Sequence, residues 1–410
     1  MFENEKIRGI LEACKKSKTY KNLYSKIDVE NIDSYEKFCK LPIIYKNDLR
    51  FEPIDLMADG IDFESLRMER TSGSTGKVLD IYWDYKDFFQ SNKYIWKLRK
   101  KNHNISPNSK MLQFHPFIAD NTSIYNEKIV LLDNNKLSFS WVDINVHNIQ
   151  LFYERMISFQ PEWIYGSSSA IFQFSQLLIQ GGYKKPESIR YIELAGDYVL
   201  EYHRKIIEEY FGKITVNMYG AREVNAIAYE CNEGNMHVIS SNVFVEIVDQ
   251  ENIPIKEGEP GQIVVTSLHN RIMPFVRYNL GDIGSIKHTH TCKCGNTEPI
   301  INIHSGRITD IVQISDINIS AVFFWYTMQH INFNYGNPIL QFQVVQKDKY
   351  TFIMNIILKS MANESVIIEE IFDFLERHNM TERVTWDIRV VESIKLNEKT
   401  GKLSYFLKEM

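Results

Sequence analysis

Between about residue 145 and residue 230 the chain alternates helix-like and strand-like stretches, and this alternation restricts the fold more than any other feature. Ile149 to Ser158 carries apolar residues at helical spacing, Trp163-Ile164-Tyr165-Gly166 ends a strand, and Ser168 to Gln180 is helical again. Arg190 to Gly196 reads as a strand, Leu200 to Phe211 as a helix and Ile214 to Gly220 as a strand. Strand, helix and strand at this spacing imply right-handed crossovers and a parallel sheet. Each strand ends in glycine or another small residue, and open parallel sheets bind ligands beyond the carboxyl ends of their strands.

The flanks extend this picture. Residues 1–40 are rich in Lys and Glu with helical spacing, which predicts two surface helices. Leu41-Pro42 then gives a proline stop, with an N-cap expected at Asn47 or Asp48. Lys86 to Lys101 predicts a helix and Lys110 to Phe114 a buried strand. Residues 236–290 predict antiparallel strands with a turn at Gly258-Glu259-Pro260-Gly261. From about 311 the pattern is that of a small α+β domain, with strands near 341–346, 351–358 and 384–391 and a helix from Glu364 to His378. A chain of 410 residues exceeds one ordinary core. The expected class is α/β: a large N-terminal domain with parallel α/β sheets plus a β-rich subdomain, and a small α+β C-terminal domain.

A net charge of −5 gives no electrostatic footprint for nucleic acid or an anionic membrane, and no apolar run approaches a bilayer span. Met1 to Lys6 is not the start of a signal peptide, so a cytoplasmic location is expected. The five cysteines, an odd number, do not suggest a disulfide framework.

One stretch concentrates anion-binding chemistry: Thr71-Ser72-Gly73-Ser74-Thr75-Gly76-Lys77. Its two glycines let main-chain N–H groups converge, the hydroxyls add donors and Lys77 adds a charge, which together suit a polyphosphate. Alternating residues at 63–69 and 78–83 place it at the tip of a strand pair. It is not a Walker A loop, because two residues separate the glycines and Val78 follows the lysine. A polar hairpin turn is the alternative. Four further islands bear on the choice: Met218 to Glu223, Arg277 to Asp282, Gly306 to Asp310, and Asn397 to Lys402.

In this order the islands resemble the adenylate-forming enzymes (acyl-CoA synthetases, peptide-synthetase adenylation domains and luciferases), and most closely the phenylacetate–coenzyme A ligase-like branch. The likeness rests on Leu41-Pro42 with Lys46, Leu49 and Arg50, the Thr71 to Lys77 loop, Ala195-Gly196-Asp197, and Tyr219-Gly220 with Glu223. It also rests on Pro274 with Arg277-Tyr278 and Gly281-Asp282, and on Gly306-Arg307 with Asp310. It covers residues 41–320 clearly and the last hundred weakly.

The resemblance implies that a carboxylate attacks the α-phosphate of ATP, releasing pyrophosphate, and that a thiol or amine then displaces AMP from the acyl-adenylate. By the same resemblance the Thr71 to Lys77 loop would hold the β,γ-phosphates and Glu223 would hold Mg²⁺. Tyr219 would stack on adenine, Ala195, Gly196 and Asp197 would line its other edge, and Asp282 would take the ribose hydroxyls with Arg307 close by. Lys402 matches the mobile catalytic lysine, with Lys399 as the alternative three residues earlier. Asp310 matches the hinge between a large domain, 1–309, and a small mobile domain, 310–410. Tyr165, Gly166, Ser167 and Phe117 are the acid-pocket candidates. Coenzyme A or a carrier-protein pantetheine is the implied acceptor, and a homodimer is left open.

Two residues depart from the family pattern: Arg222 stands where Thr or Ser is common, and Asp316 where glycine is common. The Arg222 guanidinium is placed to meet a phosphate or the substrate acid. Residues 115–145 lack the glycine-rich apolar stretch expected of an aryl-acid ligase. Cys231, His237, Cys292 and Cys294 form a Cys₃His set suited to a structural zinc ion, although the spacing also fits buried free cysteines. The phenylacetate-ligase-like branch carries a similar arrangement, which favours zinc. Two rival functions stand beside the ligase: a small-molecule kinase releasing ADP, and a non-catalytic or amine-acylating relative.

Overall fold

The computed structural model describes residues 4–409 except 26, 46–52, 59–60, 71–78, 116–129, 141–142, 145, 197–198, 200, 289–291, 306–310, 315–316, 322–323, 325–326, 329–330, 333, 337, 360–361, 378–379, 383, 393 and 395–405. The chain opens with helices α1 (Asn4–Cys14), α2 (Lys18–Leu23) and α3 (Tyr35–Phe38), one more than expected. Lys16, Ser17 and Ser34 account for the breaks: the chain turns at 16–17, and the Ser34 hydroxyl accepts the Lys37 N–H to start α3. Strand β1 (Ile44–Tyr45) follows, then β2 (Arg67–Arg70) and β3 (Asp80–Trp83), which pair with each other. Phe63–Ser65, expected as strand, is a 3₁₀ turn capped by Asp62, whose carboxylate accepts the Glu64 N–H. Helix α4 (Tyr85–His103) is capped by Asp84, which accepts from the N–H groups of Lys86 and Asp87.

The alternating region runs as expected. Ahead of it lie β4 (Met111–His115), which was expected, and β5 (Val130–Asp133) and β6 (Lys136–Ser140), which were not; its own elements are α5 (Ile149–Phe159), β7 (Trp163–Gly166), α6 (Ser168–Gln180), β8 (Tyr191–Ala195), α7 (Glu201–Phe211) and β9 (Thr215–Ala221). Antiparallel strands follow: β10 (Asn225–Glu230), β11 (Met236–Val238), β12 (Val243–Val248), β13 (Gly261–Ser267), β14 (Tyr278–Lys287) and β15 (Ile300–Ser305). They join one 13-stranded sheet in the order β12-β13-β14-β15-β11-β10-β9-β8-β7-β4-β6-β5, with β1 beside β14. The β6-β4-β7-β8-β9 run is parallel, while β9-β10-β11-β15 is antiparallel.

Most residues of β4, β6, β7 and β8 are buried because helices cover these strands, whereas β9 is buried only at Thr215 and Val216. Leu112, Phe114, Phe139, Phe152, Phe172, Phe174, Ile192 and Leu194 share one core with α5 and α6. Phe139 stacks on Phe152 at 4.6 Å and meets Phe114 edge-on. Burying each such ring stabilises by about 1.5–3 kcal/mol.

The described residues form two compact units, one drawn almost entirely from residues up to 304 and the other chiefly from 305 onward. The second unit contains the hairpin β16 (Ile311–Ile314) and β17 (Ile317–Ser320), then β18 (Ile339–Asp348), β19 (Thr351–Leu358), α8 (Glu364–Arg377), β20 (Thr385–Val390) and β21 (Phe406–Lys408). Its sheet runs β20-β19-β18-β21. Ile367, Ile371 and Leu375 of α8 bury against Val344, Phe352, Met354 and Trp386, at spacings of four residues along the helix. The fold is therefore α/β in the large unit, with a β-rich part, and α+β in the small one. Among the described residues no helix is long and apolar enough to cross a membrane.

Candidate active site and metal-ligand cluster

Register brings the strand ends together. Gly166 pairs with Leu194, and Ala195 with Met218, so Tyr165-Gly166, Ala195-Gly196 and Tyr219-Gly220 lie in a row at the carboxyl ends of β7, β8 and β9. Gly196 has φ +88°, and among the described residues a Cβ there would meet nothing within 4 Å. Its backbone conformation demands glycine. Gly220 is glycine for a different reason: a Cβ would sit 2.7 Å from the Asn225 carbonyl oxygen across the β9–β10 turn. At Gly166 a Cβ would press on Phe114 at 3.1 Å. Ser167 caps α6, its hydroxyl accepting the Ala170 N–H at 3.3 Å.

Beneath the row lies a buried ion pair. Arg99 donates through Nε to Glu193 Oε2 at 2.9 Å and through Nη2 to Oε1 at 2.5 Å, and the Tyr191 hydroxyl donates to the same carboxylate at 2.8 Å. The Arg99 guanidinium lies 4.4 Å from the Trp96 ring centroid and 5.0 Å from that of Trp163. Tyr165 sits above, its phenol pushed up by burial and then by the Glu193 charge.

The tight turn between β9 and β10 sends two neighbouring side chains to different environments. Glu223 is buried, and its Oε1 accepts the Tyr278 hydroxyl at 2.9 Å. Arg222 is exposed, and its Nη1 donates to Glu69 Oε2 at 2.9 Å. His115 ends β4 and is held below its usual range by burial and then by the Arg222 charge. Arg277, read from the sequence only as part of a motif, is an anchor. Buried at φ +47°, it donates to Glu246 Oε2 at 3.1 Å and to the carbonyl oxygens of Leu41, at 2.6 Å, and Cys39. It thereby ties the Leu41-Pro42 segment to β12. Asp282 is half-buried within β14, directly after Gly281 at φ +80°.

Sequence reasoning missed Glu69, His115 and the Arg99–Glu193 pair. The Arg67/Glu69 alternation on β2, immediately before the glycine-rich loop, was the available signal for Glu69. Thr71, Ser72, Gly73, Ser74, Thr75, Gly76, Lys77, Phe117, Asp197, Arg307, Asp310, Asp316, Lys399 and Lys402 lie outside the described residues.

A second cluster forms where β10 and β11 meet the β14–β15 connection. The ligand atoms of Cys231, His237, Cys292 and Cys294 all lie within 4.8 Å of one another. The Cys231 and Cys292 sulfurs are 3.8 Å apart, and Cys294 Sγ is 3.4 Å from His237 Nε2. A tetrahedral zinc ion with bonds of about 2.3 Å to sulfur sets sulfurs about 3.8 Å apart, so the set has the right dimensions. His237 Nδ1 lies 3.0 Å from the Glu298 carbonyl oxygen, which fixes the tautomer that leaves Nε2 as a ligand. Asn235 Nδ2 and the Asn296 N–H each donate to a cluster sulfur at 3.4 Å, and the Cys294 backbone N–H lowers the Cys292 thiol pKa.

No model of a known protein family matches the chain. Over 167 residues it is 29% identical to a phenylacetate-coenzyme A ligase of Thermus thermophilus, a match covering 39% of this chain and 37% of that protein's length. It is 22% identical over 364 residues to the protein CapK of Staphylococcus aureus, covering 84% of this chain and 74% of the relative. Among solved structures it is similar to a 2-hydroxyisobutyryl-CoA ligase in the postadenylation state in complex with R3-HIB-AMP. The TM-score is 0.70 at 15% identity, over 98% of this chain and 88% of that one. The chain shares its fold with that CoA ligase, and one of its curated relatives is a phenylacetate-coenzyme A ligase, in line with the branch that the motif order implied.

Proposed function

We propose that this protein activates a carboxylic acid with ATP through an acyl-adenylate and passes the acyl group to the thiol of coenzyme A or of a carrier-protein pantetheine. The observation that carries the reading is the row of strand ends. Tyr219 lies one residue beyond the Ala195–Met218 register pair, which sets it level with Gly196, where a Cβ would meet no described residue within 4 Å. A half-buried aromatic next to a small-residue edge is what an adenine ring needs.

The remaining roles follow from the motifs. The Thr71 to Lys77 loop would hold the β,γ-phosphates, and Asp197 would continue the adenine edge. Asp282 would accept the ribose hydroxyls, and Arg307 would lie close to them. Glu223 would hold Mg²⁺, which supplies charge neutralisation at the phosphates; the Tyr278 hydroxyl on its Oε1 supports this by fixing the carboxylate. A substrate carboxylate oxygen then bonds to the α-phosphorus. The bond from that phosphorus to the bridging oxygen breaks, and pyrophosphate leaves with the electron pair. Lys402, or Lys399, would lie against the carboxylate and α-phosphate oxygens, and Arg222 would face the acid. Tyr165, Gly166, Ser167 and Phe117 would shape the acid pocket. In the second step a thiolate attacks the acyl carbon and AMP leaves, after the small domain turns about Asp310. The Cys231, His237, Cys292 and Cys294 set would hold a structural zinc ion, since all four positions of a tetrahedron are filled by protein.

Incubation with ATP, Mg²⁺ and a panel of carboxylic acids is expected to yield AMP and pyrophosphate in an acid-dependent manner. ADP instead would establish the kinase reading, and no nucleotide turnover with any acid would establish the non-catalytic one. Asp316 adds bulk and charge where glycine would line a thiol tunnel, which favours a carrier-protein thiol or an amine at least as much as free coenzyme A. Single-turnover transfer from preformed acyl-adenylate separates them; a clear preference for free coenzyme A would defeat this reading of Asp316.

A further inference from the structure

Glu69 stands two residues before Thr71, the start of the glycine-rich loop, and it is paired twice. Its Oε1 accepts Arg67 Nε at 2.7 Å, and its Oε2 accepts Arg222 Nη1 at 2.9 Å. Arg67 and Glu69 stand two apart on β2 and so share one face of the strand. The Arg67 guanidinium is itself pinned, 4.2 Å from the Phe88 ring centroid on α4. Glu69 is thus fixed from the strand side and turns its second oxygen to a residue 153 positions away.

The two partners differ in what holds them. The Glu69 side chain is 12% exposed, whereas that of Arg222 is 57% exposed. Packing therefore does not orient Arg222, and a free arginine side chain would spread over many rotamers. The ion pair selects one. A guanidinium has five N–H donors. Among the described residues Arg222 spends one, on Glu69. Arg222 directly follows β9, which ends at Ala221, and its charge acts on His115 at the end of β4 and on Tyr165 at the end of β7, so the guanidinium is near the strand ends where the acid is expected.

We propose that Glu69 is a positioning residue for the acid substrate: it holds the Arg222 guanidinium at the carboxyl ends of β4, β7 and β9, where the free N–H groups receive the substrate carboxylate. This rests on the ligase reading above. No bond to either residue forms or breaks; the pair orients the nucleophilic oxygen before it meets the α-phosphorus. A plain surface ion pair would contribute little and would leave substrate kinetics unchanged.

The test is a double-mutant cycle in acid-dependent pyrophosphate exchange, with thermal unfolding of each variant alongside. Glu69→Gln keeps the shape and removes the charge. It is expected to raise KM for the acid about tenfold while KM for ATP stays within about twofold. Glu69→Asp is expected to recover part of the loss, and it serves as the reporting variant if Glu69→Gln does not fold. In an Arg222→Ala background Glu69→Gln is expected to add less than about twofold. An unchanged acid KM in Glu69→Gln, or the same fold-loss in both backgrounds, would overturn the assignment while leaving the ligase reading intact. Absence of exchange in the wild type with every acid would remove the ligase reading and this proposal together.

Discussion

Loss of the proposed zinc ion should loosen the large unit by an amount the topology lets one work out. Strands β11 and β15 join the half of the sheet that holds β5 to β10 to the half that holds β12 to β14, and their register comes down to one pair, His237 with Ile300. The four ligands straddle this seam, and Cys231 and Cys292 are 61 residues apart. Treated as a cross-link closing a loop of that length, the metal removes about 4 kcal/mol of chain entropy from the unfolded state. With about 2.1 cal/mol/K of unfolding entropy per residue, a unit of roughly 290 residues should lose about 6–7 °C in Tm. Metal analysis of the purified protein should find about one zinc per chain. Cys292→Ser and Cys294→Ser should each abolish it, with the stated fall in Tm and faster amide exchange in β11 and β15. Zinc-free protein whose Tm is unmoved by either substitution would refute the reasoning, and the cysteines would then be free thiols.

Three further outcomes are expected. Gly196→Ala should cost about 1 kcal/mol or more, because alanine resists φ +88°, and it should raise KM for ATP by narrowing the space beside Tyr219; an unchanged ATP KM would move the adenine elsewhere. His203 is buried against Phe172 and hydrogen-bonded to Ser168, and burial pushes its pKa down to about 3. The unfolded chain takes up that proton near pH 6.5 and the folded chain does not, so stability should fall by about 2 kcal/mol from pH 7 to pH 5; urea unfolding of His203→Gln at both pH values should show that loss removed. Lys402→Ala should lower pyrophosphate exchange by about 100-fold or more while ATP binding survives, and a normal rate would shift the role to Lys399 or return Lys402 to solvent.

What the sequence made legible and what it hid divide along contact distance. The β7 to β9 run was readable because helical and strand periods alternate over a few residues, and parallel pairing then follows from handedness alone. The row of Gly166, Ala195, Gly196 and Tyr219 came with it, since strand ends in a parallel sheet must align. Phe63–Ser65 failed because four alternating residues suit a strand and a capped turn equally; Asp62 decided it by accepting the Glu64 N–H. The partners of Arg277 and Arg222 were hidden for another reason. Their partners lie 31 and 236 residues away in one case and 153 in the other, and no local pattern encodes such distances. The two arginines then part ways on burial. Arg277 has its charge wholly enclosed, so its partners are needed to keep the fold, and truncation should cost about 3–5 kcal/mol. Arg222 is mostly open to solvent, so its pairing with Glu69 does little for stability. A weak, well-directed pair beside the strand ends makes better sense as an orienting device for a ligand than as a support for the fold.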